Sequence, residues 1–344
     1  MMSAVNPSTA SFVSRDRLFD AAWRLSLSAV GSMSSGERLS IVIFHRVLPE
    51  PDPLFPDDPD VHRFNQICAW LAAWYRVLPL DEAVERLAQD SLPPRALAIT
   101  FDDGYADNHD LAMPILQAHG LCATFFIATG FLNGGRMWND TVTEALRETT
   151  QPSLDLTGLN LPGVAHLKLA TLPQRRDAIP RLLNAMKYLP LAERRHLSEC
   201  FAERAQVAPR RDLMMTGDRV QALALGGMQI GAHTVSHPIM ARLDDASAER
   251  ELARSKDELE SLLKQPVTLF AYPNGKPGVD YSRRDVALVR RLGFKAAVST
   301  APGAACHADD RLFELPRFTP WDRSRWRFAL RLANNLRVKA AVAE

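Results

Sequence analysis

The chain has no run of about 18 apolar residues, so its sequence offers no membrane-spanning helix. It has only four cysteines, Cys68, Cys122, Cys200 and Cys306. None forms a C-x-x-C pair, which excludes a zinc ribbon or a thiol redox centre and reads as reduced thiols. Neither charge is in real excess: 41 Lys+Arg stand against 40 Asp+Glu, a formal net of +1. No global field gathers nucleic acid or anionic lipid, and a nucleic-acid partner is not expected. A clean signal peptide is missing as well, because Arg15, Asp16 and Arg17 precede a stretch, Leu18–Val30, that is interrupted by Asp20, Arg24 and serines. The expectation is a soluble, cytoplasmic protein without internal repeats or low-complexity tracts.

What is present is an ordinary globular mixture, 47% hydrophobic and 24% charged over 344 residues, enough for a sizeable core. Short runs rich in β-branched and aromatic residues recur at Leu39–Phe44, Arg76–Leu78, Ala96–Phe101, Cys122–Ala128 and Met228–Gly231, then at Val267–Ala271, Lys295–Ser299 and Leu312–Leu315. Helical patterns lie between most of them, at Pro79–Gln89, Asn108–His119, Asp245–Lys264 and Arg283–Leu292. This alternation predicts an α/β protein, a distorted (β/α) barrel of about seven or eight mainly parallel strands. Residues from about 132 to 218 break the rhythm and read as a helical insertion, with Thr171–Glu203 long, charged and helical. The organisation predicted is an N-terminal helical extension (1–36), a catalytic-type domain (37–320) carrying that insertion, and a basic C-terminal helix (321–344). The proline-rich, acidic stretch Pro49–Pro59 can be neither helix nor central strand and reads as a surface loop.

A β/α barrel collects reactive groups in the loops after its strands. Polar or Gly/Pro clusters follow four of the runs: Phe44-His45-Arg46, Thr100-Phe101-Asp102-Asp103-Gly104, His233-Thr234-Val235-Ser236-His237 and Tyr272-Pro273-Asn274-Gly275. Asp102 and Asp103 can serve one pocket only if the strand has ended and turned, which Gly104 permits. The bland alternative is an N-cap cluster starting the Asn108 helix. His233 and His237 are four apart, so on a helical turn both imidazoles project from one face and can share an ion. Asp103 could complete two histidines and a carboxylate, a set that leaves positions open for water and substrate. An isolated H-x-x-x-H pair is otherwise commonly structural.

The Thr-Phe-Asp-Asp-Gly and His-Thr-Val-Ser-His segments resemble the first two signatures of the polysaccharide deacetylases of the NodB-homology type, carbohydrate esterase family 4, over roughly Leu39 to Phe318. The resemblance implies that Asp103, His233 and His237 hold a divalent metal, Zn2+ above others, and that Asp102 is the catalytic base. The family's Arg-x-Pro-Tyr motif is absent. Tyr272-Pro273-Asn274 stands in its place, which implies Asn274 as the oxyanion N–H donor and leaves the tethering arginine to Arg317, whose alternative is a surface arginine. No Leu-x-His stands near the C-terminus. His45, in Phe44-His45-Arg46, resembles the Tyr-His motif of the subgroup that deacetylates poly-N-acetylglucosamine and would supply the acid, unless it is a buried histidine satisfied by backbone.

The implied activity is metal-dependent removal of N-linked acyl groups from an N-acetylated sugar, polysaccharide or sugar-lipid precursor. The alternatives are a deacylase of another C–N bond, such as a formyl-sugar or ring amide, or a non-catalytic carbohydrate-binding member of the fold. Trp138, Tyr272 and Trp321 are candidates to line a sugar cleft or, as readily, to anchor the core. The basic, amphipathic C-terminus fits a helix capping the barrel or a peripheral contact with an anionic membrane.

Overall fold

The computed structural model describes residues 19–25, 27, 37–307 and 311–343, so most of the expected N-terminal extension lies outside the described residues. The barrel strands are β1 (Arg38–Phe44), β2 (Arg76–Val77), β3 (Ala96–Phe101) and β4 (Thr124–Ile127). A small hairpin, β5 (Ser153–Asp155) and β6 (His166–Lys168), lies apart from the main sheet within residues 132–218, and β7 (Gln229–Ala232), β8 (Leu269–Ala271), β9 (Ala296–Val298) and β10 (Ala305–Cys306) complete the set. The main sheet runs β10-β1-β3-β4-β7-β8-β9, with β2 on the start of β3. All its pairings are parallel except that of β10 with β1.

Both faces of these strands are covered, which is why they read as continuous apolar runs rather than alternating ones. Alternate residues Leu39, Ile41, Ala96, Ala98, Phe126, Ala271 and Val298 pack into one cluster, while Val42, Phe44, Leu97, Ile99, Phe101 and Phe125 pack into another. Gly231 in β7 is where the first cluster needs space: a Cβ there would stand 2.4 Å from the Phe126 ring.

The expected last strand, Leu312–Leu315, forms no regular ladder. It makes single bridges, to β9 through Leu315 and to β1 through Phe318. The Leu315 N–H donates to Ala297 (2.9 Å) and the Phe318 N–H to Ile41 (2.7 Å), so this irregular segment spans the gap between β9 and β1. Pro316 explains the irregularity, since it has no N–H to give a ladder.

Helices α1 (Val61–Trp74), α2 (Leu80–Ala88), α3 (Met113–Ala118), α7 (Gly217–Leu225), α8 (Asp245–Leu263) and α9 (Arg283–Arg291) accompany the strands. The Asp60 side chain caps α1 by accepting from Arg63 N–H, and Phe64, Ile67, Cys68 and Leu71 form its buried face. The α3 helix is preceded by a π-helical turn, Asn108–Ala112.

Within residues 132–218 lie α4 (Trp138–Glu148), the hairpin, α5 (Leu172–Met186) and α6 (Leu191–Arg204). The single long helix expected at Thr171–Glu203 is two, broken before Pro190. Leu146, Leu156, Leu167, Leu182 and Phe201 form a separate hydrophobic cluster here. The Pro49–Pro59 loop is clasped to it by Leu54 and by a two-pronged Arg147–Asp52 ion pair (2.9 and 2.7 Å). The C-terminal helix α10 (Arg325–Asn335) buries Phe328, Ala329 and Leu332 and leaves Trp326 and Leu330 exposed. No helix among the described residues is long and apolar enough to cross a membrane.

Candidate metal and hydrolase site

Asp102 follows β3 in register, its N–H donating to the Phe44 carbonyl at 3.0 Å. Strand parity therefore puts its side chain on the face of Ala96, Ala98 and Thr100. Asp103 takes a left-handed φ of 78° and Gly104 follows at 91°. The turn begins one residue earlier than glycine alone would suggest, and it sends the second carboxylate toward β7. The pair does not cap the Asn108 helix: Asp107 is the residue before it, and makes no side-chain capping bond.

His233 and His237 do meet, but not on a helix. They lie in the loop after β7, where Thr234 (φ 65°) and His237 (φ 50°) are both left-handed. The loop is held from α8, whose Glu251 carboxylate accepts from the N–H groups of Val235 (2.9 Å) and Ser236 (2.8 Å) and from the Ser236 hydroxyl (2.6 Å). Each imidazole Nε2 lies 3.4 Å from Asp103 Oδ1, and one ligand atom from each of the three residues fits within 4.8 Å of the others.

These residues suit a divalent cation. His233 Nδ1 donates to the Ala271 carbonyl (2.7 Å), which leaves the Nε2 lone pair facing a carboxylate. Burial, opposed by Asp103 but aided by the charges of His233 and Arg194, pushes His237 down to about 4, whereas for His233 the Asp103 and Asp102 carboxylates outweigh burial and raise it. Asp103 Oδ1 is buried without a hydrogen-bond donor, although burial is outweighed by the imidazoles of His233, His237 and His45, which hold the carboxyl well below its ordinary value. A buried carboxylate oxygen 3.4 Å from two imidazole nitrogens and hydrogen-bonded to neither is unfavourable unless a cation lies among them.

Arg317 is not a surface arginine. It is 2% exposed, and its guanidinium grips Asp102 with two 2.7 Å bonds. It is itself fixed by Ser299 O (2.8 Å) and Thr100 Oγ1 (3.3 Å). Burial works against the Asp102 charge, but Arg317 and the nearby His233 overcome it and keep the carboxyl below its ordinary value.

A cavity of about 350 Å3 opens over Asp102, Asp103, His233 and His237, with His45, Asn274 and Thr300 at its edge. His45 is exposed at the end of β1, with its own carbonyl held by Asn108 Nδ2 (2.9 Å). Asn274 is left-handed (φ 59°); its carbonyl accepts from Thr300 Oγ1, and its N–H donates to no group among the described residues.

Tyr272 needs correction as a substrate-binding candidate. It is fully buried, stacked on Tyr281 with centroids 3.8 Å apart, and its hydroxyl donates to the Phe313 carbonyl. Tyr272 continues from the end of β8 into the core, whereas Asn274, past Pro273 and in a left-handed turn, reaches the cavity. Trp321 is 61% exposed and does not line the cavity, whereas Trp138 does. The opposite wall went unread in the sequence: Asn184, Lys187 and Arg194, all from α5, α6 and the turn between them.

The family model for polysaccharide deacetylases matches residues 89–151 and 183–297. YxkH of Bacillus subtilis, whose name assigns it to the polysaccharide deacetylases, is 22% identical over 71% of this chain, and the match spans 58% of that protein's length. The fold is shared with the Streptococcus pyogenes deacetylase PplD (20% identity, TM-score 0.54, 83% of this chain and 93% of that one). It is shared also with IcaB from Ammonifex degensii (18% identity, TM-score 0.55, 88% and 98%).

Proposed function

Because the chain belongs to the polysaccharide deacetylase family, we propose that it is a metal-dependent hydrolase that removes the acyl group from the nitrogen of an N-acetylated sugar. The observation that carries this reading is the donor-less Asp103 oxygen set against two imidazole nitrogens, beside a second aspartate held ionised by Arg317. Asp103, His233 and His237 would hold the ion, Zn2+ by donor type. Bound there, it would acidify a water and polarise the acyl carbonyl.

Asp102 accepts the proton of the attacking water. Both its oxygens are engaged by Arg317, but each keeps a lone pair free for that proton. The unpaired N–H of Asn274 faces no competing acceptor and is available to the developing oxyanion. Nitrogen leaves poorly as an anion, so His45 donates a proton to it as the C–N bond breaks, giving a carboxylate and an amine. Cytoplasmic residence, and a peripheral membrane contact through α10 and its exposed Trp326, belong to the same reading.

The test is elemental analysis of the purified protein, with acetate release measured from N-acetylhexosamine oligomers with and without chelator. Asp102→Asn should keep its metal and lose turnover by at least about a thousandfold, while Asp103→Ala should lose the metal. Unchanged turnover in Asp102→Asn overturns the assignment. Metal-loaded protein that releases no acyl group from any N-acyl sugar favours a carbohydrate-binding role.

A further inference from the structure

Arg194 is an arginine with nothing to balance it. It is 3% exposed, and desolvation alone pushes its guanidinium down to about 10, with no carboxylate opposing that effect. Its one hydrogen bond among the described residues goes to a neutral group, the Lys187 carbonyl (3.0 Å). It lies over the Trp138 ring at 4.9 Å, which fixes its plane. A buried charge left without a counter-charge is costly, so the fold holds Arg194 at a cost that a ligand could offset.

Arg194 and Trp138 line both the cavity over Asp102 and Asp103 and a second cavity of about 420 Å3. The second is also lined by Arg136, Arg195 and Arg211, with Glu199 its one carboxylate. Arg136 is part-buried, and burial together with the charges of Arg211 and Arg195 outweighs Glu199 and Asp140 and lowers it. Arg195 and Glu199 pair at 3.3 Å on the exposed rim. Four guanidinium groups against one carboxylate leave three positive charges in excess. A neutral polysaccharide offers them hydrogen-bond acceptors but no charge, and a carboxylate offers about one charge. A diphosphate diester offers about two, with oxygens suited to the guanidinium fork.

Resting on the deacylase reading above, we propose that the substrate is an N-acylated sugar carried on a diphosphate, whose sugar enters the metal cavity while its phosphates lie against Arg194 and the arginines beyond it. The diphosphate could belong to a nucleotide or to a polyprenyl lipid; the recognition chemistry is the same.

The metal-loaded full chain should be assayed on three substrates bearing the same sugar: a neutral N-acetylglucosamine oligomer, UDP-N-acetylglucosamine, and polyprenyl-diphosphate N-acetylglucosamine in detergent micelles. At least one diphosphate substrate should exceed the neutral oligomer by tenfold or more in kcat/KM, and which one does so identifies the carrier. Arg194→Gln should lower that ratio at least tenfold, and the exposed-site variant Arg211→Ser several-fold. Titration of UDP into metal-loaded Asp102→Asn protein, with and without Arg194→Gln, should show the same tenfold loss in Kd without any turnover. If the neutral oligomer is preferred and neither arginine variant moves the ratio, this inference fails and the deacylase reading stands. If no substrate releases its acyl group while UDP binding still depends on Arg194, the deacylase reading fails and the anion site remains.

Discussion

Replacing Arg317 with methionine isolates what holds the base in its working state. Arg317 and Asp102 are 2% and 3% exposed and joined by two 2.7 Å bonds. With charge centres about 4 Å apart and an effective dielectric of about 20, their attraction is about 4 kcal/mol. At about 1.4 kcal/mol per pH unit this corresponds to a rise of about three pH units in the Asp102 titration when the guanidinium is removed.

The sign is fixed by burial. In the native chain the Asp102 titration is depressed, so the pair stabilises the fold at neutral pH and the contribution is lost as pH falls through the folded value. In Arg317→Met, burial acts with less opposition, the titration lies above that of the unfolded chain, and stability declines as pH rises through it. The acid limb of kcat/KM should therefore move up by about three pH units, and neutral-pH stability should fall by about 3–5 kcal/mol in denaturant titration. Adding Asp102→Asn should recover a large part of that stability. A limb at its original pH, with turnover lowered evenly, would show that Arg317 only orients the carboxylate and refute the electrostatic argument.

The remaining predictions concern the proton donor and the loop that carries the histidines. His45→Gln should lower kcat on an N-acetyl sugar about a hundredfold but leave an activated aryl acetate nearly untouched, because that leaving group needs no proton; equal losses on both would remove His45 from the acid's role. Glu251→Gln loses a charge that accepts three hydrogen bonds from Val235 and Ser236. It should cost about 1–3 kcal/mol in thermal or denaturant unfolding and weaken metal binding about tenfold in competition with a chelator. An unchanged metal affinity would mean that the loop keeps His237 in place unaided.

Why the two walls of the cavity differ so much in legibility follows from how each is made. The strand wall was legible because β1 and β3 are buried on both faces and write themselves as largely apolar runs, with Ser40 and Thr100 the polar residues inside them, and because Asp102 and Asp103 sit where such a run stops. His233 and His237 were legible as a pair though the reasoning from helical spacing was not the actual geometry: two left-handed residues, rather than a helical turn, bring the rings to 4.9 Å. Arg317 showed only its position after the last strand; its burial depends on an irregular segment that no periodicity announces. The insertion wall was illegible in a stricter sense. Arg194 and Arg195 are adjacent arginines in a helix whose apolar residues mark out almost no single face, yet one is buried at the cavity and the other exposed in an ion pair with Glu199. Local sequence carries the period of a helix but not its rotation about its axis, which here is set by Ser198, Phe201 and Ala202 packing inward. Any residue whose role depends on that rotation, as the anion-binding role of Arg194 does, becomes visible only once the helix is docked.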